Sequence, residues 1–232
     1  MEFLAMLDWS VIAQIILIDV LLGGDNAVVI ALACRNLHPN QRKAGILWGT
    51  AGAIGLRIVL TVFAVTLLQI PYLKLVGALL LLWIGYKLLA ESGGDEGHEL
   101  EAPDKLFAAV KTIIVADLVM SLDNVLAIAG AAGQVDDQAH QFGYIVFGLI
   151  VSVPLIIGGS RIVLYLIDRF PIIVTAGAGL LGWIAGGMLL SDPAVVKYLG
   201  EGVQDYGLIA GIVGALGVMI VGELAKRRHK KA

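Results

Sequence analysis

Seven runs of apolar residues constrain this chain more than any motif does: about 11–33, 44–68, 72–90, 112–132, 142–166, 171–190 and 206–224. Each is roughly 18–25 residues long, which matches the ~20 that a helix needs to cross the hydrocarbon core of a bilayer. In lipid every backbone N–H and C=O must be satisfied within the fold, and only helices and closed barrels achieve that. The runs are continuous rather than alternating, which selects helices. Composition agrees, because 15% of the 232 residues are charged against about 25% in soluble domains. The expected fold is therefore all-α, a polytopic membrane protein with seven transmembrane helices. Met1-Glu-Phe lacks the basic start of a signal peptide, so the first run is expected to stay as a span.

Orientation follows from the basic residues. With the N-terminus outside, the cytoplasmic side receives Arg35, Arg42, Lys43, Lys87, Lys105, Lys111, Arg169, Lys226, Arg227, Arg228, Lys230 and Lys231, and the outer side only Lys74 and Lys197. This bias fixes the N-terminus outside and the C-terminus in the cytoplasm, and the expected location is the cell membrane. The other two, Arg57 and Arg161, fall inside spans.

Acids interrupt two of the apolar runs with the same spelling. Asp19-Val-Leu-Leu-Gly-Gly-Asp25-Asn26 recurs as Asp117-Leu-Val-Met-Ser-Leu-Asp123-Asn124. A charge at the bilayer centre costs at least ~2.5–3.5 kcal/mol, so four such residues point to a polar site or an ion pathway. The match extends further: Gly55-Leu-Arg57-Ile-Val-Leu60 is echoed by Gly159-Ser-Arg161-Ile-Val-Leu164. Pro71, Gly77 and Trp83 meet Pro171, Gly177 and Trp183 at a constant offset. The chain thus divides into a first three-helix repeat (1–90), an acidic cytoplasmic linker (91–105), a second three-helix repeat (106–190), and a seventh helix with a basic tail (191–232). Three helices is an odd number, so the second repeat enters the membrane inverted. Inverted repeats are a hallmark of secondary transporters, whose substrate sites lie near the midplane; duplication in a scaffold with no transport role is the plainer alternative.

The remaining chemistry is sparse. Cys34 is the one cysteine, which excludes a disulfide framework and a cysteine metal cluster. His38, His98, His140 and His229 all fall outside the expected spans. The linker reads as disordered and solvated. The tail Lys226-Arg-Arg-His-Lys-Lys231 reads as an anchor to anionic headgroups rather than a nucleic-acid site. Pro154 is expected to kink the fifth span.

Within the spans, Asp19 and Asn26 share a helix face, as do Asp117 and Asn124, while Asp25 and Asp123 sit ~100° away. Gly23-Gly24 makes a break in the first span plausible. Counting ~1.5 Å per residue, Asp19 lies about 12 Å below the outer end of its span and Asp117 a similar distance above the inner end of its own. This gives a ladder: outer Asp19, a central quartet of Asp25, Asn26, Asp123 and Asn124, and inner Asp117. Carboxylates and amide carbonyls are hard oxygen ligands suited to Mn²⁺, Mg²⁺ or Ca²⁺. Four aspartates and two arginines sum to −2, which one divalent cation neutralises. Without metal, Arg57 and Arg161 are expected to pair with aspartates as ion-pair or gating residues, whether structural or part of metal–proton exchange.

At Asp25-Asn-Ala-Val-Val-Ile-Ala and Ser121-Leu-Asp-Asn-Val-Leu-Ala-Ile-Ala the sequence resembles the TerC family of integral membrane proteins, over nearly the whole chain. The resemblance implies a small exporter, with several bacterial members implicated in manganese efflux. Others are linked to metal delivery to exported enzymes, tellurite or pH response, or membrane-protein insertion. It carries the family's intramembrane acids onto Asp25 and Asp123 with their asparagines, and onto Asp19 and Asp117. A tellurite oxyanion does not suit a pocket of aspartates.

The leading expectation is a transporter, not an enzyme, that exports Mn²⁺ from the cytosol, with exchange for protons as the preferred mode and Ca²⁺ as the alternative substrate. Mn²⁺ is its cargo and no permanent cofactor is expected. Its partners are the metal ion and the bilayer, with a homodimer or membrane-protein partners left open. A non-transporting factor that supports folding or metallation of partner proteins is the second reading. An intramembrane protease is a distant third, since no His-Glu-x-x-His accompanies the aspartates.

Overall fold

The protein is described here by a computed structural model, which covers residues 9–63, 67, 70–91, 102–132 and 138–229. Every element among them is helical. In chain order these are α1 (Trp9–Leu22), α2 (Gly24–Cys34), α3 (Pro39–Val62), α4 (Leu73–Ala90), α5 (Ala102–Ala132), α6 (Gln138–Arg169), α7 (Ile172–Leu190), the short α8 (Pro193–Leu199), a 3₁₀ turn (Glu201–Tyr206) and α9 (Gly207–His229).

Glycine and proline punctuate these helices. The expected break in the first run is present: Gly23 separates α1 from α2, and the two axes are bent by 50°. Glycine is the poorest helix former apart from proline, and two in a row concentrate that cost. Gly23 also has no room for a side chain, because a Cβ there would collide with the Asp19 carbonyl oxygen. Pro39 and Pro193 open α3 and α8 at their first turns, where a missing N–H costs nothing. Pro154 is carried inside α6, which runs on through it.

Among the described residues five helices are long and apolar enough to cross a membrane, or six with α1 and α2 as one bent span. They are α3, α4, α7, and the segments Gln141–Arg169 and Gly202–Arg227. The expected run 112–132 lies inside α5, where the side chains of 123 and 126 are outside the described set. Two boundaries differ from expectation. Residues 102–105, assigned to the linker, are the first turn of α5, and α3 starts at Pro39 rather than 44. Both extensions are polar helix ends that an apolar-run criterion does not see. The rest of the acidic linker, 92–101, lies outside the described residues.

α1 and α2 pack on α6, α3 on α5, α4 on α7, and α9 on α7 and α4. The main core threads these helices through Ala31, Leu81, Ile113, Ala178 and Val218, and a second cluster joins Ile12, Ile15, Ile128 and Leu149. α7 and α9 touch backbone to backbone: a Cβ on Gly182 would strike the Gly214 carbonyl, and one on Gly186 that of Ala210. Small residues that let backbones approach are how helices associate in lipid, where burial of apolar surface offers no driving force. The large apolar side chains left exposed, such as Leu17, Trp48, Val76, Ile162 and Ile209, suit a hydrocarbon surround.

Candidate cation site

One guanidinium organises the centre of the molecule. Arg57 on α3 is 1% exposed. Its Nη1 donates to Asp19 Oδ1 on α1 and its Nη2 to Asp117 Oδ1 on α5. Its Nε donates to Ser121 Oγ at 2.9 Å. Ser121, one turn beyond Asp117, in turn donates to Asp117 Oδ2 at 3.1 Å. Ser152 on α6 donates to Asp19 Oδ2, and its Oγ also stands 2.8 Å from the Leu149 carbonyl. All four carboxylate oxygens thus have a protein donor. With both acids ionised the cluster carries a net −1. Breaking such a buried pair strands a charge, which is why its members are interdependent.

The ladder expected from sequence is overturned here. Asp19 and Asp117 share one guanidinium, so they do not stand at opposite depths. The reason is the length of α5: it begins at Ala102, ten residues before the apolar run, which places Asp117 at its middle. Arg161 has a different setting from Arg57. It is exposed on α6 and makes no ion pair with the described residues, because the buried face of that helix is set by Leu149, Ser152, Ile156, Ser160 and Leu164. The repeated aspartates meet on one guanidinium, but the repeated arginines do not share a placement.

The second polar group forms at the helix break. Losing the regular ladder at Gly23 leaves carbonyls at the end of α1 in need of donors. Gly23 N–H still donates to the Asp19 carbonyl at 2.7 Å and Asn26 N–H to that of Gly23 at 3.1 Å. The Leu22 carbonyl accepts from Asn124 Nδ2 at 3.2 Å. Asp25 occupies the first turn of α2, where a carboxylate complements the positive end of a helix. Asp25 Oδ1 and both side-chain polar atoms of Asn26 are buried and find no hydrogen-bond partner among the described residues. Asn26 is 4% exposed, and its Nδ2 lies 3.2 Å from the point a Gly23 Cβ would occupy, beside the Asp19 carbonyl. Buried polar groups left unpaired each cost about 1–3 kcal/mol, so this arrangement calls for a partner. Asp123 belongs to α5, and its side chain lies outside the described residues. Among the described residues no three histidine, cysteine or acidic side chains converge on a point; the donors on offer are mixed carboxylate, amide and backbone oxygens.

Sequence reasoning did not single out Ser121 as a site residue or mention Ser152. Ser121 had a signal in its one-turn spacing from Asp117; Ser152 had none, since it reaches Asp19 only across the α1–α6 contact. It also missed the locks at the helix ends. At one end Arg42 pairs with Asp168 at 2.7 Å and donates to the Arg35 and Leu37 carbonyls at 2.7 and 3.2 Å, while Arg35 donates to the Leu88 carbonyl. At the other, Asp192, fully buried, caps two helices at once. It accepts from Ala194 N–H of α8 at 2.8 Å, and from Tyr72 and Leu75 N–H at the start of α4, both at 3.1 Å. Burial works to raise the Asp192 carboxyl, but the N–H groups of Ala194, Leu75, Tyr72 and Val195 outweigh it and hold it below the usual carboxylate range.

The chain matches the family described as "Integral membrane protein TerC family" over residues 4–230. It is 44% identical over 184 residues to "Uncharacterized membrane protein YjbE" of Bacillus subtilis (strain 168), covering 79% of this chain and 81% of that protein. It is 26% identical over 185 residues to "Uncharacterized membrane protein YceF" of the same organism, covering 76% and 69%. To "UPF0053 inner membrane protein YgdQ" of Escherichia coli (strain K12) it is 25% identical over 180 residues, covering 70% and 73%. No solved structure matches the chain.

Proposed function

This chain belongs to the TerC family of integral membrane proteins, and from that premise we propose that it exports a hard divalent cation, Mn²⁺ first, from the cytosol. The observation that carries the reading is Asp25 Oδ1 and the Asn26 amide, buried at the Gly23 helix break without a partner among the described residues. A hard cation with six or more oxygen ligands is the partner such groups fit. Interrupted spans serve this purpose in transporters, because unwound backbone is tolerated in a membrane only where it is buried in protein or lines a cavity. In this reading Asp25, Asn26, Asn124 and Asp123 receive the ion, and Asp19 and Asp117 of the adjoining Arg57 cluster add their carboxylates to it. Ca²⁺ is the alternative substrate.

The seven-span inverted repeat belongs to the same reading. Counting α1 with α2 as the first span and α5 as the fourth, the first packs on the fifth, the second on the fourth and the third on the sixth. Exchanging the two units maps that pattern onto itself. The contacts of Arg42 and Arg35 gather the end of α2, the start of α3 and the ends of α4 and α6 on one side. That side is the one rich in arginine and lysine, which supports a cytoplasmic assignment and an outside N-terminus.

An inside-negative potential opposes cation export by about 2.3 kcal/mol per charge per 100 mV. Exchange against protons is therefore the favoured mode. The experiment is Mn²⁺ flux in proteoliposomes, wild type against Asp25→Asn, with pH recorded on both sides. Flux that vanishes in the variant and moves protons the opposite way is the expected result. Absence of Mn²⁺ and Ca²⁺ flux in folded wild type overturns it, and leaves the partner-supporting role.

A further inference from the structure

We propose that Arg57 is a tethered counter-cation that competes with the transported divalent ion for the Asp19–Asp117 pair, and so sets how weakly that ion is held. The proposal deepens the transport reading above and rests on it for its physiological meaning. Its basis is occupancy: Asp19 Oδ1 and Asp117 Oδ1 accept from Arg57, Asp19 Oδ2 from Ser152 and Asp117 Oδ2 from Ser121. A divalent ion coordinated by these carboxylates needs the lone pairs that the guanidinium now holds. Asn26, buried at the Asp19 end of the break with no partner among the described residues, offers a further oxygen once the carboxylates open.

Chemistry makes the competition one-sided. A guanidinium stays protonated in proteins, so Arg57 does not vacate the pair by titrating; it is displaced, or it stays. Ion and guanidinium are like charges in a desolvated space, and each weakens the hold of the other. A carrier needs binding favourable enough to load and weak enough to release. Two bare carboxylates would load and not let go. Ser121 acts as a positioning residue here, bonded both to Arg57 Nε and to Asp117, so that guanidinium and carboxylate are presented to each other in one geometry.

A purely structural role for Arg57 predicts the opposite sign in the test. The full chain is purified in detergent, Mn²⁺ binding is measured by titration calorimetry for wild type, Arg57→Gln and Arg57→Lys, and flux is measured in proteoliposomes. Competition gives Arg57→Gln at least about tenfold tighter binding, since a unit charge ~4 Å away is worth several RT even at an effective dielectric of ~20. Turnover falls at the same time. Arg57→Lys, which keeps the charge but cannot bridge both carboxylates, falls between, and carries the test if the glutamine variant does not fold. Binding in the folded variant no tighter than in wild type overturns the proposal. Tighter binding in the variants combined with no flux in wild type leaves the proposal standing and removes the transport reading instead.

Discussion

Asn124 on α5 donates its side-chain N–H to the backbone carbonyl of Leu22, 3.2 Å away, at the point where α1 stops. A residue from the second half of the chain therefore satisfies the broken backbone of the first. Asn124→Leu removes the donor and strands a carbonyl. It should lower stability by about 1–3 kcal/mol, read as a lower melting temperature in detergent. If the variant melts with wild type, the break does not depend on this bond.

Arg57 joins three helices, so its loss is a global event. Arg57→Met alone should cost about 3–5 kcal/mol, because two buried carboxylates are left without their counter-charge. The neutral set Arg57→Met/Asp19→Asn/Asp117→Asn should recover part of that loss. Thermal unfolding of the three proteins checks the order.

Arg161 offers the matching control. It is exposed and makes no ion pair with the described residues, so Arg161→Gln should change stability by no more than about 0.5 kcal/mol. Equal damage from Arg57→Gln and Arg161→Gln would mean that the two repeats use their arginines alike.

Gly186 faces the Ala210 carbonyl at the α7–α9 contact. Gly186→Leu should push the helices apart at a cost of about 1–3 kcal/mol or more, and should expose the last helix to protease before the rest of the chain.

Asp192 predicts an acid limit to stability. Its carboxyl is held below the usual range in the folded protein, so its contribution is complete above the unfolded value near ~3.9 and is lost as pH falls through the depressed one. Asp192→Asn keeps one acceptor oxygen but cannot accept on both sides, so it should destabilise at neutral pH by about 1–3 kcal/mol through the N–H left unpaired. Wild type and variant should converge in strong acid. A gap that persists there assigns the effect to packing.

Much of this architecture was legible from periodicity and composition, since a run of apolar residues of spanning length has few ways to exist. The Gly23 break was legible because glycine acts locally. The partners of the acids were not. Asp19 meets Ser152 across 133 positions of chain, and nothing in the local spelling of either residue encodes that meeting. The second cap of Asp192, on α4, is hidden for the same reason.

Sequence by itself determined that the chain is an all-helical membrane protein with paired polar motifs in its spans, because bilayer thickness and backbone hydrogen bonding leave little else. Only the tertiary structure decided that Asp19 and Asp117 share Arg57, that Arg161 makes no ion pair among the described residues, and that Asp25 Oδ1 and the Asn26 amide find no partner among them. Those outcomes depend on how far each helix extends and how it is rotated against its neighbours. Both are fixed by side-chain packing summed over the whole bundle, which no single segment contains.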